Sequence, residues 1–431
     1  MVGDFFSSHS FNILQMLLVA IGYLMPIPLS VFALRMWHHY RHERFIMGIK
    51  WVLLEIQVPR DVIKSPAAME LILSNALYQK TNKGFWEQYI QGAPWFWFSL
   101  EMASIDGKVH FFIRSPTRMR ELVETQIYAQ YPQAKVVEVD DYTLHVSQFK
   151  KNGDWYMWGC EYSKLRDDFL PIRTFRDMEE MDSGTKEEYK IDPITPVIEL
   201  LGSLHKGHQM WVQIIIRQNL KTYHSHKLKK HVNFYDATYE YIEHMLLPYT
   251  RFQKNDNGDT IGMDMRTPDP LKNQVKIMVE NASLIHFDCG IRVVTLADKR
   301  VCSEEDFNNL RRNSRLIWRQ YAQPNVNELN RINSTQFDAP WSDPTGLALT
   351  KIKKRLLDFY RTRTFFYPPI QYSIKYPKVL NAFFPSGRPE IFVMSSRELA
   401  TIFHFPGMVS ETPSFKRIES KIAKPPANLP V

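Results

Sequence analysis

The sequence predicts an α+β protein: an N-terminal transmembrane helix, two ferredoxin-like (βαββαβ) modules and a Pro-rich C-terminal linker. Three observations lead there. Residues 5–34 carry no charge. Strand-like and helix-like stretches then follow twice in the order β-α-β-β-α-β, the split unit of ferredoxin-like folds. The end of the chain gathers Pro413, Pro425, Pro426 and Pro430, the composition of an extended linker. With 431 residues the chain exceeds one ordinary domain, and 44% apolar residues exclude a disordered polymer.

The anchor comes first. Residues 13–34 read ILQMLLVAIGYLMPIPLSVFAL, and about 20 apolar residues cross a hydrocarbon core. Arg35, Arg41 and Arg44 follow, with His38, His39 and His42 among them, opposed by Glu43. A signal peptide would carry its basic residues ahead of the apolar run. The positive-inside rule therefore places the following chain in the cytoplasm. Residues 1–49 are expected to form a single-pass anchor with a basic juxtamembrane segment, the lipid bilayer being its partner.

The first module is expected over residues 50–141. A strand at 51–58 ends at Pro59. A helix over 65–79 has Ser65 as N-cap and Pro66 at its first position. The strand at 95–104 turns at Asp106-Gly107, a two-residue hairpin signal, into a partner carrying Val109, Phe111 and Ile113. A helix over 117–131 stops at Pro132, and 135–139 supplies the last strand. The second module, 142–340, repeats the order: a strand at 155–162, a helix at 195–204 and a strand at 210–217. A basic insertion at 219–270 follows, containing a helix near 239–247 and the turn Asn257-Gly258. A helix at 271–282, a strand at 285–296 and a helix over 303–321 complete it. Ser303 and Asp306 have the spacing of a capping box.

Residues 341–411 form a separate segment. A basic amphipathic helix over 347–359 sets Lys351, Lys353, Lys354 and Arg355 beside Leu349, Ile352, Leu356 and Leu357. A strand at 390–395 and a capped helix at 396–403 follow, and 412–431 is the linker.

Two strings in this last part carry a resemblance. SSRELATIFHFPG contains Phe403, His404, Phe405 and Pro406. TPSFKRIESKIAKPPANLP contains Thr412, Pro413, Pro425, Pro426, Asn428, Leu429 and Pro430. Both resemble the segment that precedes the ATPase domain in membrane-anchored HerA/FtsK-like ATPases similar to type IV secretion (conjugative) coupling proteins of candidate-phylum bacteria. The stretch SPAAMELIL resembles the uncharacterised N-terminal domain of that family in outline. The resemblance implies the bacterial cytoplasmic (inner) membrane, a C-terminal region in the cytoplasm and an ATPase following the tail. No G-x-x-x-x-G-K-S/T loop occurs here to cradle a phosphate. A HerA/FtsK-like ATPase encoded separately is therefore the expected partner, with DNA and a second copy of the chain as further ones.

Catalytic signatures are missing from the sequence. It contains neither a G-x-S-x-G elbow nor H-E-x-x-H. Cys160, Cys289 and Cys302 lie far apart, against a zinc cage or disulfide framework. His224, His226 and His231 stand among lysines, which oppose a divalent ion. Glu138, Asp140 and Asp141 read as a solvated strand end rather than an acid/base pair. No cofactor, metal or catalytic residue is expected. A net charge of +8 with a pI near 9.1 favours an anionic neighbour. Two patches would supply phosphate contacts to nucleic acid or lipid: Lys221, Lys227, Lys229 and Lys230 in the insertion, and Lys351, Lys353, Lys354 and Arg355 in the helix. The expected function is a non-catalytic, membrane-anchored scaffold or accessory module of a type IV secretion-like ATPase machine. The alternative is a stand-alone membrane-bound protein that binds nucleic acid or lipid.

Overall fold

The computed structural model describes residues 15–16, 22–59, 64–79, 83–150, 153–181, 192–225, 227–254, 260–337, 343, 345–369 and 390–406. The turn at Asn257-Gly258 and the linker positions Thr412, Pro413, Pro425, Pro426, Asn428, Leu429 and Pro430 lie outside the described residues. The chain divides into two compact units: Met1–Lys50 with Thr81–Trp95 and Pro369–Ile374, and Trp51–Lys80 with Phe96–Pro368 and Lys375–Val431.

In the smaller unit, helix α1 (Pro26–Met47) lies against a π-helical turn, Trp86–Gln91. Arg41 Nε donates to the Ile90 carbonyl (3.0 Å), and a ring nitrogen of His38 sits 3.2 Å from the Gln88 carbonyl. Gly92, at φ +71°, comes so close to Arg41 that a Cβ there would stand 2.7 Å from its backbone.

The expected membrane anchor is corrected here. Among the described residues no helix is long and apolar enough to cross a membrane, which removes the basis for an inner-membrane location. The reading over residues 13–34 counted apolar residues without regard to where a helix starts. Residues 15–16 and 22–24 are helical too, but Met25 is a turn residue that separates them from α1, which has Pro26 at its first position, where the missing N–H costs nothing. From Pro26 to the first cation, Arg35, a helix rises only about 13 Å, against the roughly 30 Å of a hydrocarbon core. The remainder of α1 carries Arg35, Arg41, Glu43, Arg44 and three histidines.

The larger unit is a mixed α+β structure built on an antiparallel sheet. Its elements in chain order are β1 (Trp51–Gln57), α2 (Ala67–Ile72, running on as a π-helical turn Leu73–Leu77), β2 (Trp97–Ile105), β3 (Lys108–Pro116), α3 (Arg120–Gln130) and β4 (Lys135–Glu138). Then come β5 (Trp155–Lys164), α4 (Phe175–Met181), α5 (Thr195–Gly202) and β6 (His208–Gln218). An insertion follows: the pair β7 (Tyr223–Ser225) and β8 (Lys230–Val232), α6 (Phe234–Leu246), and the pair β9 (Thr250–Lys254) and β10 (Thr260–Met265). The chain resumes with α7 (Asp269–Ala282), β11 (His286–Asp298), α8 (Glu304–Ser314), β12 (Leu329–Ile332), α9 (Leu347–Thr362), β13 (Phe392–Ser395) and α10 (Ser396–Ile402).

The strands order as β12-β5-β11-β6-β2-β3-β1-β4, with β13 also paired to β11. The β2–β3 hairpin closes at Asp106 (φ 54°) and Gly107 (φ 81°), the left-handed pair that a two-residue turn requires. The outer strand of that hairpin pair, β2, then meets β6 antiparallel from Trp97↔Arg217 to Ile105↔Gln209. One continuous sheet results from two four-stranded halves. On one face α2, α3, α5, α8 and α10 bury Met69, Ile127, Ile198, Phe307 and Leu399 against Phe111, Ile214 and Val293. On the other, α9 and the turn around Tyr142 cover Ala103, Phe112, Trp211 and Leu296.

Two departures from the sequence reading have clear causes. The helix expected over 303–321 ends at Ser314, whose buried hydroxyl bonds back to the Leu310 carbonyl (2.7 Å), while Ile317, Trp318 and Tyr321 enter the core from turns. The segment after α9 returns to the sheet: β13 pairs with β11 from His286↔Ser395 to Cys289↔Phe392. A capping box of Ser395 and Glu398 then starts α10.

Candidate functional site

Glu101, Gln213, Arg292 and Glu161 each interrupt an apolar stretch of a central strand, and the register brings these four residues into line. Glu161 on β5 pairs with Arg292 on β11, Arg292 with Gln213 on β6, and Gln213 with Glu101 on β2. A polar belt therefore crosses four strands on the face beneath α9, and each of these four residues is at most 3% exposed.

The belt is closed from above by the chain leaving α9. Arg363, in a left-handed conformation at φ 52°, grips both oxygens of Glu101 at 2.9 and 3.0 Å and reaches Asp141. Glu101 also accepts from Ser99 (2.6 Å), Tyr142 (2.9 Å) and Gln213 (3.2 Å). Burial alone would raise the Glu101 carboxyl; the Arg363 charge and these donors carry it below its ordinary value. The Tyr142 hydroxyl meets that of Tyr360 at 2.8 Å, and burial lifts both phenols well above their usual range. Two residues further on, Phe365 lies over the Arg292 guanidinium (4.7 Å) in the space left by Gly290, and Phe366 lies over Arg217 (4.2 Å). Arg292 donates to Glu161 (2.8 Å), and Arg217 donates to Asp288 (3.0 and 2.9 Å). The Arg363–Glu101 fork uses both carboxylate oxygens, whereas Arg217 converges on one oxygen of Asp288 and Arg292 gives Glu161 a single bond; such charge-assisted pairing is the form in which buried charge is tolerated.

A fourth buried pair fixes the last helix. Lys164 meets Glu398 at 2.8 Å, both nearly inaccessible. Glu398 accepts in addition from the backbone N–H groups of Ile172 (3.0 Å) and Ser395 (2.8 Å).

A cleft of about 230 Å³ opens beside β5, between α8 on one face and the start of α9 on the other. Lys353, Arg311 and Trp158 line it. Burial, Arg311 and Lys299 push the Lys353 ammonium down to about 8.

The positions singled out from the sequence scatter. Lys221 pairs with Asp168 and lies over the Tyr223 ring, and Lys227 bonds Glu243 at 3.0 Å. Lys229 and Lys230 are exposed on the β7–β8 turn. Lys351 and Lys354 face outward on α9, Arg355 is half-buried, and Lys353 enters the cleft. The expected patch of four cations is thus split. Phe403, His404, Phe405 and Pro406 are all buried. His404 bridges the Ala400 carbonyl (2.8 Å) and Asp192 (2.6 Å), and the rings of Phe403 and Phe405 pack on Phe111. Glu138 pairs with Arg120, while Asp141 joins the belt instead of forming a solvated strand end. Among the described residues no group of three or more histidine, cysteine or acidic side chains is placed to hold a metal.

The belt itself was missed. Its signal, Glu101, Gln213, Arg292 and Glu161 each standing between apolar residues of its strand, becomes legible only once the strand order is known. No protein-family model matches the chain, and a search of the curated proteins finds no match either.

Proposed function

We propose that the chain is a non-catalytic assembly module that couples a type IV secretion-like ATPase to other components of its machine. The observation that carries this reading is the fixation of the segment leading into the tail. Phe403 and Phe405 are built into the first half, against Phe111 and Tyr131, while His404 between them is bonded to Asp192. Glu398 is tied to Lys164 of the second half. Whatever engages the chain beyond Pro406 is then held by both halves of one sheet. The strand orders β4-β1-β3-β2 and β12-β5-β11-β6 support reading the halves as two ferredoxin-like modules joined through their second strands. The belt acts here as a lock, because each of its carboxylates is paired with a guanidinium.

The resemblance of the strings around Phe403 and Pro413 names the partner class, a HerA/FtsK-like ATPase. Crosslinking in source cells, with the full chain and with a chain lacking residues 412–431, tests it. Capture of such an ATPase by the full chain and its loss on truncation is the expected result. Equal capture by both chains, or no ATPase with either, refutes the reading.

A further inference from the structure

Each buried guanidinium of the belt has a carboxylate partner, and the cations of the cleft beside β5 have none among the described residues. Lys353 lies against the face of Phe149 at 5.2 Å. Arg311 stands next to it, its charge opposed by Arg315 and Arg312. Arg315 lies over the Trp158 ring and donates to Gln336. Among the described residues no carboxylate lies within ion-pair distance of Lys353, Arg311 or Arg315. Asp343 also lines the cleft, but its oxygens are taken by the first turn of α9, including the Leu349 N–H (2.8 Å) and the Thr345 hydroxyl (3.2 Å).

Donors accumulate at the same place. The Nε of Arg311, the Nε of Arg315 and the indole Nε1 of Trp158 are all buried without an acceptor. Leaving such donors unmatched is costly, and more so for charged groups. The strand edge adds to them. Gly159 exchanges backbone and hydroxyl bonds with Thr335 on this side (2.9 Å each). By the two-residue period of a strand, the Met157 N–H points the same way.

We propose that this cleft binds a small phosphorylated molecule through its phosphate, gripped by Arg311 and Lys353 with Trp158 and Arg315 behind them. A phosphate dianion supplies two negative charges and several acceptor oxygens, which suits a guanidinium fork and an ammonium together. A cavity of about 230 Å³ falls below the roughly 300–1,000 Å³ of sites that enclose a whole ligand. The phosphate is therefore the enclosed part, and the rest of the molecule projects outward. This inference is independent of the reading of the belt and the tail.

The test uses the purified full chain in calorimetric titrations at constant ionic strength, with inorganic phosphate, glycerol phosphate as a monoester, and duplex DNA. Arg311→Gln and Lys353→Met are titrated alongside. Saturable binding of phosphate or the monoester, weakened at least tenfold in both variants, supports the site; tighter binding of the monoester identifies an organic phosphate as the occupant. Lys353→Met removes a desolvated ammonium, so without phosphate it should unfold at no lower temperature than the parent. That control separates a lost ligand from a lost fold. Binding of DNA alone, binding unchanged in both variants, or no saturable phosphate binding overturns the proposal.

Discussion

Replacing Arg363 with methionine isolates what holds α9 to the sheet. The side chain is fully buried and faces two carboxylates, Glu101 and Asp141. Removing one partner of such a pair leaves a buried charge uncompensated and costs about 3–5 kcal/mol. Glu101→Gln leaves Arg363 with Asp141 and keeps an acceptor for Ser99 and Tyr142, so its cost should be nearer 1–3 kcal/mol. The double variant should lose less than the sum of the two, by about 0.5–3 kcal/mol, because both changes remove the same contact. Urea unfolding followed by tryptophan fluorescence reads this out, since Trp211 packs on Tyr142 and Tyr360, each with ring centres 5.4 Å away. The acid limb gives a second reading. The folded Glu101 carboxyl lies below its ordinary value, so its contribution is present above the unfolded carboxylate range. It is lost as pH falls through the folded value. Without Arg363 the acid-unfolding midpoint should move up. Strict additivity of the two single changes, or an Arg363→Met chain that unfolds at the parental urea concentration, would refute this account of the belt.

Two further outcomes follow from the packing. Gly290→Ala places a methyl 2.2–2.4 Å from ring atoms of Phe365 and should lower stability by about 1–3 kcal/mol; Phe365→Leu in the same chain should recover part of that loss in urea unfolding. Cys160 and Cys289 are fully buried, and burial raises the first thiol to about 12 and the second well above its ordinary value, so both should resist a thiol-specific reagent at pH 8 in the folded chain and react once denatured. Rapid labelling of either in the folded chain would contradict the packing around β5 and β11.

Local signals served the fold well wherever local physics decides it. The Asp106-Gly107 turn, the proline at the start of α5 and the Ser395 cap are short-range features, and the elements they mark stand where residue patterns put them. The order of strands across the sheet is different, because it depends on which edges meet. The junction of β2 with β6 joins residues more than a hundred positions apart, and neither strand announces its partner. The short strands β7, β8 and β12 have too few residues for periodicity to register. The candidate site shows the same division. Lys353 was legible as a cation on an amphipathic helix, but its company is not: Arg311 comes from another helix and Trp158 from a strand. The basic string around Lys353 reads as a uniform patch, whereas the helix rotates each of its cations to a different environment. The apolar run before Arg35 misled because composition alone does not say where a helix begins.

The placement of Phe405 against Phe111 and Tyr131 has a consequence for synthesis. The first half of the sheet has its strands and helices in hand once Glu138 is made, yet part of its interior is supplied by a residue roughly 270 positions later. At about 5–20 residues per second, a nascent chain waits roughly 14–55 s for that plug. During that interval the apolar surface around Phe111 lacks the part of its cover that Phe403 and Phe405 supply. The half-finished sheet is thus a natural client for a ribosome-associated chaperone, and slowing translation between residues 132 and 405 should increase aggregation without changing a single side chain.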